Sequence, residues 1–309
     1  MQVNQTLVIH EVGLRDGLQS ENQIVPIDFK LKWLEKLIKS GIKFIQVGSF
    51  VNPKVLPQMA DTDEIFHRIN NNQVDFTIPE DVTLTALVLN EKGLERAINS
   101  KVGKILMGVS ASETHSYKNT RMTVSEATTR IIEMAMLAIK EGFEVQVSVQ
   151  SAFGCGYEGK IPKEKVIAII RQYLEANIKN ISLADTAGHA NPTYVKELFE
   201  EIYQLDTTLS LACHFHNTYG LGLLNVQSAI QAGVKYIETS FGGLGGCPFT
   251  KVAAGNVATE DVVHFLNREG IDTKINILDL IELSKSVSHF FQKELPGFIY
   301  KTGPIFWQK

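Results

Sequence analysis

Along the chain, short runs rich in branched and aromatic residues alternate with longer segments in which apolar residues recur at helical spacing. The first pattern predicts strands and the second amphipathic helices. LVIHEVG (7–13) opens the series, followed by a helix in PIDFKLKWLEKLIKS (26–40). FIQVGSF (44–50) precedes a helix at 61–70, and TLTALVLN (83–90) precedes EKGLERAINS. KILMGVS (104–110) leads to a long helix from Thr123 to Glu141, and EVQVSVQ (144–150) to one at 162–176. NISLADT (180–186) leads to NPTYVKELFEEIYQL, where Asn191 can cap the helix and Pro192 suits its first position. LSLACHFHN (209–217) precedes LGLLNVQSAIQAG, and KYIETSF (235–241) is the eighth strand.

Eight strand–helix units in about 250 residues predict an α/β fold of the (β/α)8 TIM-barrel type. A doubly wound open sheet shares the rhythm, but no GxGxxG follows the first strand. No Pro/Gly/Ser linker or low-complexity tract divides the sequence. The expectation is a single domain over 1–309, with the barrel at about 6–270 and a helical extension at about 271–309. Within that extension, INILDLIELSKSVSHFFQKEL reads as an extra helix packed on the barrel.

Composition narrows the function classes. With 44% hydrophobic and 21% charged residues, a sizeable core is within reach. A net charge of −4 and the lack of a basic stripe argue against nucleic acid as a partner. No apolar run approaches the roughly 20 residues that span a bilayer, so no membrane segment is expected. MQVNQTLVIHEVG lacks the basic and apolar regions of a signal peptide. Cys155, Cys213 and Cys247 do not make a disulfide framework, and a reduced, cytoplasmic protein is the expectation.

In a TIM barrel, chemistry sits at the C-terminal ends of the strands. Unusual polar residues cluster there: Arg15 and Asp16 after strand one, Ser49 ending strand two and Asp185 ending strand six. His214 and His216 end strand seven, and Cys247 and Asn256 follow strand eight. Alternate side chains share a strand face, so His214 and His216 point one way while Cys213 and Phe215 point the other. Two imidazoles on one face suit a metal, though a pair is an incomplete site. Asp16 can add an anionic oxygen across the barrel mouth and Asn256 a neutral one. A mixed O/N set with open positions favours Mg²⁺ or Mn²⁺ over structural zinc. Cys155 and Cys213 read as packing residues, and His189 as a loop or surface histidine.

Seven stretches together carry a resemblance: VGLRDGLQSE (12–21), GSFVNPKVLPQMAD (48–61), SASETHSYKNTR (110–121), FGCGYEGKI (153–161), SLADTAG (182–188), HFHNTYG (214–220) and GGLGGCPFTKVAAGNVATEDVV (242–263). The chain resembles the 3-hydroxy-3-methylglutaryl-CoA lyases over roughly residues 6–285. These belong to a larger group of metal-dependent TIM-barrel lyases and Claisen-type synthases. RDG and HxH are shared with the synthases, whereas GGLGGCP marks the lyase branch. The resemblance implies cleavage of 3-hydroxy-3-methylglutaryl-CoA to acetoacetate and acetyl-CoA, as in leucine degradation, by a homodimer. It implies Asp16, His214, His216 and Asn256 as ligands of the divalent metal. Arg15 would face the thioester carbonyl oxygen, and Cys247 would sit on a mobile glycine-rich loop needed for turnover. His214, Cys247 and Asp185 are the candidates for proton transfer. Gln19, Ser49, Ser182 and Glu260 fall around the substrate or its supporting residues.

The sequence departs from that pattern at four places. Gln46 stands where glutamate is common, Val47-Gly48 where larger or hydroxyl residues are usual, Asn22 where the mammalian-type enzymes have lysine, and Asn217 where aspartate usually follows the second histidine. None removes a metal ligand, so the acyl substrate is more open than the reaction type. Gly48 suggests room for a larger C3 substituent. The alternatives are a lyase of the same mechanism on another 3-hydroxyacyl-CoA, an aldolase or Claisen synthase, and a non-catalytic barrel binding acyl-CoA or metal.

Overall fold

Eight parallel strands follow one another around a closed barrel in chain order. They are β1 (Val8–Glu11), β2 (Phe44–Ser49), β3 (Thr83–Leu87), β4 (Lys104–Ser110), β5 (Glu144–Gln150), β6 (Asn180–Asp185), β7 (Ser210–Phe215) and β8 (Tyr236–Thr239). β1 pairs with both β2 and β8, which closes the ring. The structure is a computed structural model, and it describes residues 7–246 and 255–305. Among these residues no helix is long and apolar enough to cross a membrane.

The helices between the strands are α1 (Ile27–Lys39), α2 (Thr62–Asn70), α3 (Glu91–Asn99), α4 (Glu113–Thr120), α5 (Val124–Lys140), α6 (Lys163–Glu175), α7 (Pro192–Leu205) and α8 (Gly222–Gln231). After β8 come α9 (Thr259–Arg268), α10 (Ile277–Phe291) and the short α11 (Ile299–Thr302). The helix signal read at Asn191 acts as expected: Asn191 accepts from Tyr194 N ahead of Pro192. Thr123 and Glu126 form a reciprocal cap at the start of α5. The stripe Ala127, Ile131, Met134, Ala135 and Ala138 buries one face of α5. Each large apolar side chain so buried contributes about 1.5–3 kcal/mol. α10 is the extra helix: Phe290 and Phe291 pack on Trp33 of α1, with ring centroids 5.5 and 6.4 Å away.

α4 was not evident as a helix, because ETHSYKNT carries almost no apolar stripe. It is held locally instead. Ser112 Oγ accepts from His115 N, while Glu158 of the β5–α6 connection accepts from both Ser112 Oγ and Thr114 N.

β2 contains the one register break that bears on the site. Gln46 pairs with Thr85, but Gly48 pairs with Ala86, so one residue is extra. The bulge turns Gly48 toward α2, where an added Cβ would overlap Thr62 Oγ1. Gly48 therefore makes room for Thr62 and not for substrate, which corrects the expectation of space for a larger C3 substituent.

Candidate active site

The sequence GLRDG folds into a single π-helical turn, Gly13–Gly17, directly after β1. The carbonyl of Val12 accepts from Arg15 N and Asp16 N at 3.0 and 2.7 Å, and this tight turn delivers both side chains to the barrel mouth. Such π-turns are frequent at functional sites. On β7, Cys213 and Phe215 join the outer core, and His214 and His216 face the barrel interior. Past β8, the chain returns beside the end of β7. Asn217 N donates to Gly255 O at 2.9 Å and Val257 N to Phe215 O at 3.1 Å, setting Asn256 opposite His216. Gly245 (φ +105°) passes so close that a Cβ there would lie 2.5 Å from Asn256 Nδ2, so this approach requires glycine.

These elements converge on one cluster. Asp16 Oδ2 lies 3.8 Å from His214 Nε2 and 3.7 Å from His216 Nε2. Both separations are too long for hydrogen bonds. They suit two ligands of one small cation, which stand roughly 3–4 Å apart when each is about 2.1 Å from the ion. One donor atom from each of Asp16, His214 and His216 falls within 4.8 Å of the others. Asn256 Nδ2 donates to Asp16 Oδ2 at 2.8 Å and to Leu244 O at 2.9 Å, and its buried Oδ1 has no partner among the described residues. An orphaned buried carbonyl oxygen is costly unless something satisfies it. Two imidazoles, a carboxylate and that oxygen fit a divalent cation.

The charges agree. Burial alone would raise the Asp16 carboxyl, but the Arg15 guanidinium and the two histidines outweigh it and hold the group ionised, well below the usual carboxylate range. Burial, helped by the neighbouring His214, pushes His216 down to about 4, so its imidazole is neutral and able to ligate. Burial also works against the charge on His214, but the hydrogen bond to Glu238 and the charges of Asp16 and Glu238 overcome it and raise its pKa. Glu238 stands in register with His214 across the β7–β8 ladder. Its Oε2 meets His214 Nδ1 at 3.0 Å and its Oε1 accepts from Gln146 Nε2 at 2.7 Å. In the neutral ring, the form that ligates a metal, that contact assigns the proton to Nδ1 and turns the Nε2 lone pair toward Asp16.

Above the cluster opens a cavity of about 500 Å³. Arg15, Asp16, Gln19, Gln46, Ser182, His214, His216 and Glu238 line it. Arg15 Nη1 donates to Asp16 Oδ1, and Arg15 Nε donates to Gln46 Oε1 at 2.6 Å. Gln19 Nε2 donates to Asp16 Oδ1 at 3.1 Å.

The family model described as HMGL-like matches residues 6–287. The chain belongs to the HMGL-like family. It is 34% identical to the hydroxymethylglutaryl-CoA lyase YngG of Bacillus subtilis, covering 94% of this chain and 95% of that one. It is 33% identical to the (R)-citramalyl-CoA lyase of Chloroflexus aurantiacus, covering 98% and 97%. Among solved structures, an HMG-CoA lyase of Acinetobacter baumannii, in complex with coenzyme A and 3-methylmalate, superposes with a TM-score of 0.89 at 37% identity over 96% of this chain and 95% of that one. As an HMGL-like protein the chain is a carbon–carbon lyase.

Within this HMGL-like site, the residues named from sequence divide into two sets. Arg15, Asp16, Gln19, Ser182, His214 and His216 share the cavity, with Asn256 bonded to Asp16. Three others stand off its wall. Asp185 spends both carboxylate oxygens on His189 N and Ala190 N, at 2.8 and 3.0 Å, and so braces the loop after β6. Glu260 accepts from Gly242 N at the turn after β8. Ser49 is buried at the end of β2, and its Oγ has no partner among the described residues. Cys247 lies outside the described residues. Glu238 and Gln146 were missed, although a carboxylate inside KYIETSF and the alternate polar positions of EVQVSVQ mark polar groups on the inner face.

Proposed function

We propose that this HMGL-like protein cleaves the C2–C3 bond of a branched 3-hydroxyacyl-CoA thioester, releasing acetyl-CoA and a keto acid. The Asp16–His214–His216 cluster, with Asn256 beside it and Arg15 on the same cavity wall, carries this reading. 3-Hydroxy-3-methylglutaryl-CoA is the first candidate substrate and acetoacetate its keto-acid product. Citramalyl-CoA is the second, favoured by the full-length likeness to a citramalyl-CoA lyase. It carries its carboxylate one methylene nearer C3 and would yield pyruvate.

Held by Asp16, His214, His216 and Asn256, Mg²⁺ or Mn²⁺ would supply the Lewis acidity that lowers the pKa of the C3 hydroxyl. The protein's own groups do the rest. Arg15 faces the thioester carbonyl and stabilises the negative charge that reaches its oxygen as the acetyl-CoA enolate leaves. Glu238 fixes the ring of His214. One proton leaves the C3 hydroxyl and one reaches the enolate carbon. Cys247 is the candidate for both transfers, taking the hydroxyl proton as thiolate and returning it to the enolate carbon as thiol, because Nδ1 of His214 is committed to Glu238 and its Nε2 would be committed to the cation. The same reading carries a cytoplasmic homodimer as its expected setting.

Product analysis tests the proposal. The metal-loaded protein is incubated separately with the two thioesters, and acetyl-CoA, acetoacetate and pyruvate are quantified. Acetyl-CoA with acetoacetate assigns the first substrate, and acetyl-CoA with pyruvate the second. Failure to release acetyl-CoA from either would sink both.

A further inference from the structure

Gln46 is fully buried, and its orientation is set by chemistry. Arg15 Nε has only a hydrogen to offer, so the atom facing it at 2.6 Å must be the amide oxygen. The NH₂ group is thereby turned away from Arg15. It has no hydrogen-bond partner among the described residues, and the side chain lines the cavity. Arg15 shows the complementary pattern. Nε is bonded to Gln46 and Nη1 to Asp16, while Nη2 has no hydrogen bond among the described residues. In a planar guanidinium, Nε–H and one Nη2–H lie along the same edge. The unpartnered donors of Arg15 and Gln46 thus belong to two groups joined directly by one hydrogen bond.

We propose that Arg15 Nη2 and Gln46 Nε2 together receive the thioester carbonyl oxygen of the substrate, which makes Gln46 a second donor to the enolate oxygen. The inference rests on the acyl-CoA lyase reading and adds a residue to it. The need for an acceptor comes from the protein: a buried NH₂ with no partner is destabilising until a ligand oxygen fills the position. Through one amide group, glutamine holds Arg15 with its oxygen and leaves its NH₂ available as a donor. A preorganised donor of this kind is worth about 10²–10³-fold in kcat.

Gln46→Glu separates the two roles, because it keeps the acceptor for Arg15 Nε and puts a second acceptor where the donor stood. The probe is acetyl-CoA carrying ¹³C at the thioester carbonyl, a product common to both candidate substrates. Its carbonyl stretch is read by difference infrared spectroscopy, bound to the Mn²⁺-loaded protein. The expected result is a downward shift on binding to the wild type, part of it lost in Gln46→Glu, where Arg15 remains, while Mn²⁺ binding is retained. An equal shift in both proteins overturns the role of Gln46 and leaves the lyase reading standing. A joint loss of the shift and of Mn²⁺ binding overturns it too, because Gln46 would then be structural. Failure of the wild type to bind acetyl-CoA overturns the lyase reading and the inference together.

Discussion

Replacing Glu238 by glutamine is expected to disable the site by moving a proton while leaving its shape intact. Glu238 is buried between two partners: Gln146 Nε2 donates to Oε1 at 2.7 Å, and His214 Nδ1 meets Oε2 at 3.0 Å. With Gln146 keeping its present orientation, the new side chain of the Glu238→Gln variant turns its amide oxygen toward Gln146 Nε2. The NH₂ then faces His214 Nδ1, which becomes an acceptor, and the ring proton moves to Nε2. Nε2 is the nitrogen directed at Asp16, so a proton there removes a lone pair from the cation cluster. Loss of an outer partner of a ligating histidine costs about 10–100-fold in metal affinity, or about 1.4–2.7 kcal/mol. A buried charge-assisted hydrogen bond is worth about 1.5–3 kcal/mol, a consistent figure. Calorimetric titration with Mn²⁺ reads the loss. The variant Gln146→Leu/Glu238→Gln serves as control, because its amide is free to turn the carbonyl toward Nδ1 and should regain part of the affinity. Unchanged Mn²⁺ affinity in Glu238→Gln would refute the tautomer argument.

Further outcomes follow from the same geometry. Burial raises Glu260 to about 8 from its ordinary 4.5, so the folded protein takes up a proton that the unfolded chain has released. That contribution is complete below about pH 4.5 and is lost as pH rises through about 8. Urea unfolding should therefore show stability falling between pH 6 and pH 9 by a few kcal/mol, a slope that Glu260→Gln reduces. Gly48→Ala should lose about 1–3 kcal/mol in the same assay through overlap with Thr62, without widening the range of accepted acyl groups in turnover. Gly245→Ala would drive its Cβ against Asn256 Nδ2, and Mn²⁺ titration should show weakened binding. Excess Mn²⁺ at about 100 times its Kd should stabilise the wild type by about 2.7 kcal/mol in thermal unfolding, and Asp16→Ala should abolish the gain.

Much of the barrel was legible because parallel strands and covering helices write different periods into the sequence. KILMGVS and EVQVSVQ coincide with β4 and β5 as read. The cluster was legible because RDG and HxH place donors at strand ends, where the fold gathers them. What escaped depended on relations between strands. The bulge in β2 is set by its pairing with β3, so the direction of Gly48 could not follow from alternation alone. Glu238 became visible as the partner of His214 only when the β7–β8 register set them side by side. Asp185 sits at a strand end like the site residues, but neighbouring backbone amides occupy its oxygens, a local use that spacing does not encode. α4 lacks an apolar stripe and owes its N-terminal end to Ser112 and to the distant Glu158.

The most direct test of the central claim is equilibrium dialysis of the chelator-stripped protein against Mn²⁺, with acetyl-CoA release from 3-hydroxy-3-methylglutaryl-CoA and citramalyl-CoA measured on the same samples. The account predicts one ion per chain, release from at least one thioester in proportion to ion bound, and loss of both in Asp16→Ala and His216→Ala. Full release from the stripped protein, or undiminished release in the two variants, would contradict it.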